Sequence, residues 1–168
     1  MKLAVIYDSK TNNTKQAAEW IACGMRTVDG VEASVYSIND VEEAFVKEAK
    51  GVVIGSPSYC AQMTPAMHTW LLEKAEGMGL EGKLGGGFAT VQYTHGGGEL
   101  VIQSILIHEL TFGMLAYSSG GEYGQPYIHL GPVGVNHNKE THNDLAFYEE
   151  VFTTYGQRFA KKAAELFG

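Results

Sequence analysis

The sequence predicts one α/β domain, residues 1–168, with a five-stranded parallel sheet sandwiched between two layers of helices. Three observations predict it. Strand-like apolar runs alternate with helix-like segments along the chain, the signature of a parallel sheet crossed by helices on both faces. The 168 residues have the length of one domain, and neither a linker nor a repeat divides them. The apolar fraction of 45% and charged fraction of 18% are those of a globular chain with a sizeable core.

The elements follow in order. Residues 3–7 are an apolar run of strand length. Residues 14–27 space Ala17, Ala18, Ile21, Ala22 and Met25 along one helix face. Residues 31–37 alternate Val31, Ala33 and Val35 with polar neighbours, as an edge strand does. Asn39 is suited to cap a short helix through Glu48. Residues 51–55 hold Val-Val-Ile, a central strand. Thr64 before Pro65 opens a helix to about Glu76. Residues 84–92 form a glycine-loosened strand, 99–112 a helix and 114–118 a short strand. A loop of about twenty residues rich in Gly, His and Asn leads to a closing helix, 143–167. Tyr148, Phe152, Tyr155, Phe159, Ala163 and Leu166 share one stripe of it.

Composition excludes several classes of function. The longest near-apolar run, 100–110, is interrupted by Gln103, Ser104, His108 and Glu109 and is too short and polar to span a bilayer. The N-terminus leads straight into a strand with no cleavage site, which implies a cytoplasmic location. Cys23 and Cys60 make neither a disulfide framework nor a zinc or iron–sulfur spacing, and Cys23 reads as a small buried hydrophobe on the first helix. Twelve basic against nineteen acidic residues, a net charge of −7, argue against a nucleic-acid partner. His129, His137 and His142 share the late loop, but their spacing fits no standard ligand set, so no metal is expected.

Ligands of open parallel sheets bind beyond the carboxyl ends of the strands. The loops after the first, third and fourth strands are therefore the informative ones. The first is Ser9-Lys10-Thr11-Asn12-Asn13-Thr14, hydroxyls and amides at a helix N-terminus. Free N–H groups and the helix dipole there favour a phosphate, whereas a plain cap needs only Asn13 or Thr14. The second presents Pro57, Ser58, Tyr59 and Cys60, a stiff turn beside one aromatic ring and a fair wall for a flat heterocycle. An ordinary strand-to-helix connection is the competing reading. The third is Gln92-Tyr93-Thr94-His95-Gly96-Gly97-Gly98, where three glycines allow close backbone approach to a ligand. A lipase-like oxyanion loop would need a Gly-x-Ser-x-Gly elbow elsewhere, and the chain has none.

These three loops in this order resemble the flavodoxin-like family. Ser9-x-Thr11-x-Asn13-Thr14 is similar to its phosphate loop, with Asn12 where the family has glycine; asparagine is among the few residues that accept a positive φ. The loops most resemble the WrbA type, the FMN-binding NAD(P)H:quinone oxidoreductases. Gly55-Ser56-Pro57-Ser58 with Met63, Thr64 and Met67 is similar to the second loop of that type, Gly96-Gly97-Gly98-Glu99 to its third, and Gly131-Pro132-Val133-Gly134 to its Thr-Pro-Tyr-Gly segment. Phe112 stands at about the place of a flavin-proximal histidine. The resemblance implies strand order 2-1-3-4-5 and FMN held by residues 9–14, 57–60 and 92–98, with the flavin rather than a catalytic side chain carrying the chemistry. His95 would lie beside the ring. It also implies electron transfer from NAD(P)H to a quinone or similar acceptor. The alternatives are a one-electron carrier with no small substrate, or an interaction protein that has lost FMN.

The helix at 99–112 adds a further expectation. Leu100, Val101, Ile102, Ile105, Leu106, Ile107, Leu110 and Phe112 cover far more than the ~100° stripe a surface helix needs. A second covering surface is required, either another copy of the chain or the loop at 119–141. The first gives a homodimer or homotetramer, as the WrbA resemblance also implies.

Overall fold

The structure, a computed structural model, describes residues 1–137 and 143–168. Its strands are β1 (Lys2–Tyr7), β2 (Glu32–Ser37), β3 (Gly51–Pro57), β4 (Leu84–Val91), β5 (Leu115–Ala116) and β6 (Val133–Val135). Its helices are α1 (Asn13–Arg26), α2 (Glu43–Glu48), α3 (Pro65–Glu73), α4 (Gly98–Thr111) and α5 (Glu149–Phe167). The sheet is parallel in the order β2-β1-β3-β4-β5, with β6 also paired to β4.

The expected fifth strand is the main difference. β5 pairs with β4 only at Leu84↔Leu115 and Gly85↔Ala116, and β6 pairs at Ala89↔Val133, Thr90↔Gly134 and Val91↔Val135. Because β3 lines the other edge of β4 from Leu84 to Thr90, β5 and β6 share one edge. The fifth position is thus two short strands, with residues 117–132 looping out between them. Ser118-Ser119-Gly120-Gly121 lacks the apolar alternation that would continue pairing, and Val133-Gly134-Val135 restores it. The buried guanidinium of Arg158 fastens the excursion. It donates to Ser119 Oγ at 3.1 Å and to the carbonyls of Tyr123, Gly124, Gln125 and Pro126 at 3.0–3.3 Å.

Side chains alternate across the sheet into two cores. Leu3, Val5, Val53 and Phe88 meet α1 and α5. Ala4, Ile6, Val52 and Ile54 meet α2, α3 and α4. Thr64 caps α3 as the sequence implies, its hydroxyl accepting from the Met67 N–H at 3.1 Å. That helix stops at Glu73, and a 3₁₀ turn at Ala75–Met78 takes over. Asn39 caps nothing: Ile38 and Val41 pack on the core, holding the segment as a turn, and α2 begins only at Glu43. Cys23 is exposed, because it is rotated off the Ala18–Ala22–Met25 stripe. α5 is preceded by a 3₁₀ turn at Asn143–Tyr148. Leu166 is exposed, and Phe167, four residues beyond Ala163, packs in its stead. His142 lies outside the described residues, and among those residues no group of three or more His, Cys, Asp or Glu is placed to hold a metal. No helix among them is long and apolar enough to cross a membrane.

One carboxyl is buried within this frame. Glu109 of α4 is fully enclosed against β4. Its Oε1 accepts the Gly86 N–H at 3.0 Å, while Oε2 has no hydrogen-bond partner. Gly85 makes the room, since a Cβ there would stand 2.5 Å from Oε2. Burial pushes the Glu109 carboxyl well above the usual carboxylate range, only partly offset by the Gly86 N–H. The folded chain therefore keeps a proton that the unfolded chain releases near pH ~4.3. This group's stabilising contribution is complete below that pH and is lost as pH rises through the raised folded pKa, at up to about 1.4 kcal/mol per pH unit. Glu109→Gln removes the ionisation and keeps an acceptor for Gly86. Denaturant unfolding should show the variant gaining on wild type progressively from pH 4 to 8; a constant offset would mean that folding does not raise the pKa of Glu109.

Candidate functional site

A parallel sheet delivers the carboxyl ends of all its strands to one rim, so the loops after β1, β3 and β4 converge there with the end of β6. Between them lies a cavity of about 500 Å³, within the usual range for a small-molecule site. Of the residues expected from the sequence, Thr11, Asn13, Pro57, Ser58, Tyr59, Cys60, Gln92, Tyr93, His95 and Gly96 line it. Ser9, Lys10, Asn12, Thr14, Thr94, Gly97 and Gly98 are not on its wall. Ala61, Thr90, Val91 and Asn136 are, and sequence reasoning missed them.

The first loop turns into α1 through Asn12, whose φ of 64° is the left-handed conformation asparagine accepts. No side chain caps the helix at Asn12. The first helical bond runs from Gln16 N–H to Asn12 O at 2.9 Å, so the amides before it are not used in the helix ladder. The Thr14 hydroxyl is engaged with Thr90 Oγ at 2.8 Å, and Asn13 Nδ2 donates to Thr11 Oγ at 3.2 Å. Ser9 Oγ is buried with no hydrogen-bond partner. A hydroxyl donor awaiting an acceptor beside a helix N-terminus fits an anionic group.

The second loop is a tight hairpin. Tyr59 and Gln62 exchange both backbone bonds at 2.9 and 3.0 Å around Cys60 and Ala61, which both have positive φ. Lys10 reaches across from the first loop, its Nζ 5.4 Å from the centre of the Tyr59 ring. Ser58 joins the second loop to the third, its N–H donating to Thr90 O at 2.9 Å and its Oγ to Gly96 O at 2.6 Å. In the third loop Gly97 (φ 77°) is needed for contact, because a Cβ there would come within 2.4 Å of the Ala61 side chain. Phe112 caps the far end of α4, about 20 Å along the helix from Gly98, and does not line the cavity. It is therefore not placed as a ring-proximal residue.

Asn136 completes the wall from beyond β6. Its N–H donates to Val91 O at 2.9 Å and its Nδ2 to Asn13 Oδ1 at 3.0 Å. Its Oδ1 is buried without a partner. An orphaned acceptor on a cavity wall calls for a ligand that donates a hydrogen bond there. The one signal for Asn136 in the sequence was the Gly131-Pro132-Val133-Gly134 segment just before it.

Comparison with known proteins agrees with this fold. Residues 42–121 match the NADPH-dependent FMN reductase family. A flavodoxin from Clostridium saccharobutylicum is 34% identical over 99% of this chain and 100% of its own length. An NAD(P)H dehydrogenase (quinone) from Cupriavidus metallidurans is 27% identical, over 99% of each chain. Among solved structures, the flavodoxin, WrbA-like protein from Agrobacterium tumefaciens superposes with a TM-score of 0.72 at 20% identity, over 98% of each chain, a likeness of fold.

The loop contact can be tested by a double-mutant cycle. Gly97→Ala should destabilise the fold by about 1–2 kcal/mol from the positive φ alone, and further through the Ala61 side chain. Denaturant unfolding of Gly97→Ala, Ala61→Gly and the double variant should then give a coupling of at least ~0.5 kcal/mol. Simple additivity would mean that the two loops do not touch.

Proposed function

This chain belongs to the flavodoxin family, and from that premise we propose that it is an FMN-dependent oxidoreductase passing electrons from NAD(P)H to a quinone or similar acceptor. The cofactor is FMN. The carrying observation is the fit of the orphaned polar atoms to that molecule. Asn136 Oδ1, on the cavity wall, lacks a donor where a polyol chain has hydroxyls to offer, and Ser9 Oγ, within the anion loop but off that wall, also lacks a partner. When bound, the flavin supplies two-electron and one-electron transfer.

The remaining work belongs to the chain. Thr11, Asn13 and the backbone amides of the first turn of α1 hold the phosphate, and Lys10 brings a positive charge to the same loop. Thr14 contributes its backbone N–H, because its hydroxyl is committed to Thr90. Pro57, Tyr59 and Cys60 wall one side of the ring and Tyr93, His95 and Gly96 the other, excluding water. Backbone N–H groups of the glycine loop favour the negative charge that accumulates on reduction. The match to the FMN reductase family spans both ring-side loops and supports the enzyme reading. A second reading, an electron carrier without a small substrate, is favoured by the full-length flavodoxin relative at the higher identity. The enzyme reading carries with it a cytoplasmic location.

The same proposal includes a homodimer or homotetramer. Val101, Ile102 and Ile105 of α4 face the sheet, but Leu100, Ile107 and Leu110 are 53%, 54% and 58% exposed. The described part of the 119–141 loop leaves them uncovered, so a second copy is the cover this reading assigns.

Purified apoprotein should bind FMN with quenched flavin fluorescence. Thr11→Ala should weaken FMN about tenfold or more, through lost phosphate bonding, and leave riboflavin affinity unchanged. Anaerobic addition of NADH or NADPH should bleach the visible flavin band, and a quinone should restore it. No bleaching by either nucleotide would favour the carrier. Light scattering at micromolar concentration should give a mass of two or four chains, and Ile107→Glu should lower it. A wild-type species of one-chain mass would overturn the assembly.

A further inference from the structure

We propose that Asp8, acting through Thr64 and Ser56, positions the second loop against the cavity, and so serves the flavin ring rather than the anion loop it precedes. The proposal rests on the cofactor reading above. Asp8 ends the approach from β1 to Ser9, yet it does not line the cavity. A carboxylate one residue ahead of an anion-binding loop opposes the anion, so another interaction must account for it. That interaction is with the second loop. The buried Asp8 Oδ2 accepts from Thr64 Oγ at 2.5 Å.

The Thr64 hydroxyl also accepts from the Met67 N–H at 3.1 Å, and the Thr64 N–H donates to Ser56 Oγ at 3.0 Å. Ser56 and Thr64 are the two feet of the loop at 57–63. The Ser56–Thr64 bond closes its neck, and Asp8 pins the neck to the end of β1, whose Asp8 N–H also donates to Gly55 O at 3.1 Å. All three residues are buried, where their hydrogen bonds are shielded from competing water and strengthened by the low local dielectric. The loop needs a firm base. Its tip, Cys60 and Ala61, has φ of 51° and 60°, a strained conformation that persists only where the surroundings over-determine it.

The test is flavin binding to the apoprotein, using lumiflavin (the ring alone), riboflavin and FMN. Thr64→Val and Asp8→Ala should each weaken all three by about tenfold, leaving the FMN-to-riboflavin ratio as in wild type. Thr64→Ser should restore binding, and Asp8→Asn, which keeps an acceptor, should lie between wild type and Asp8→Ala. Unchanged affinities in Thr64→Val and Asp8→Ala would overturn the proposal. So would a loss for FMN alone, which would assign Asp8 to the phosphate. If Asp8→Ala does not fold, Asp8→Asn decides together with Thr64→Val, whose lost hydroxyl also caps α3. A wild type that binds none of the three overturns the cofactor reading and this proposal with it, whereas binding by wild type with no change in the variants overturns the proposal only.

Discussion

The close approach of two helices to β4 is the constraint on which the rest of the fold depends. Gly85, Gly86 and Gly87 stand at the middle of the sheet with side chains pressing on them from both faces. A Cβ on Gly86 would meet the Tyr155 hydroxyl at 2.2 Å, and one on Gly87 would meet Ile102 at 3.2 Å. Close packing of this kind is intolerant of a single added methyl group. It draws α4 and α5 tight onto the strand. The Gly96–Gly98 loop, which leads from β4 into α4, is thereby held at the rim where the cavity forms.

The cavity is assembled from backbone stitches and a small set of buried polar bonds. Thr14 to Thr90, Asn13 to Asn136 and Ser58 to Gly96 each join residues far apart in the chain. Each ties a loop to a strand end or to another loop, so the wall is organised before a ligand arrives. Preorganisation of this sort lowers the ordering cost of binding. The polar atoms left over, Ser9 Oγ and Asn136 Oδ1, are the ones a ligand would satisfy.

Much of this was legible in the sequence, for identifiable reasons. Helix and strand periods are local, so the alternation and the three loops could be read directly. The positive φ of Asn12 follows from its side chain and its place before a helix. Asn136 was not legible, because its position depends on β6 pairing with β4, more than forty residues away in the chain. Thr90 and Val91 read only as strand residues, and which strand ends face a cavity is a matter of topology. Glu109 read as a polar break in an apolar run, whereas the structure buries it, since the space that receives it is made by Gly85 on another element. The split of the fifth position into β5 and β6 was not legible for a similar reason. Its two halves are too short for a periodic signal, and only their shared edge on β4 makes them one position.

That divided strand bears on how such a domain can diversify. The chain leaves the edge of β4 opposite Gly85 and returns opposite Ala89, points only about 13 Å apart along the strand. Whatever lies between must close that gap and satisfy Arg158, and nothing else in the sheet constrains its length. Closing a longer loop adds only a small entropic cost. Changes of length are therefore accommodated between Tyr117, packed on Phe159, and Ile128, buried in the core, while the register of β4 and the cavity wall at Asn136 stay unchanged. Lineages could acquire new outer surfaces there without rebuilding the cavity.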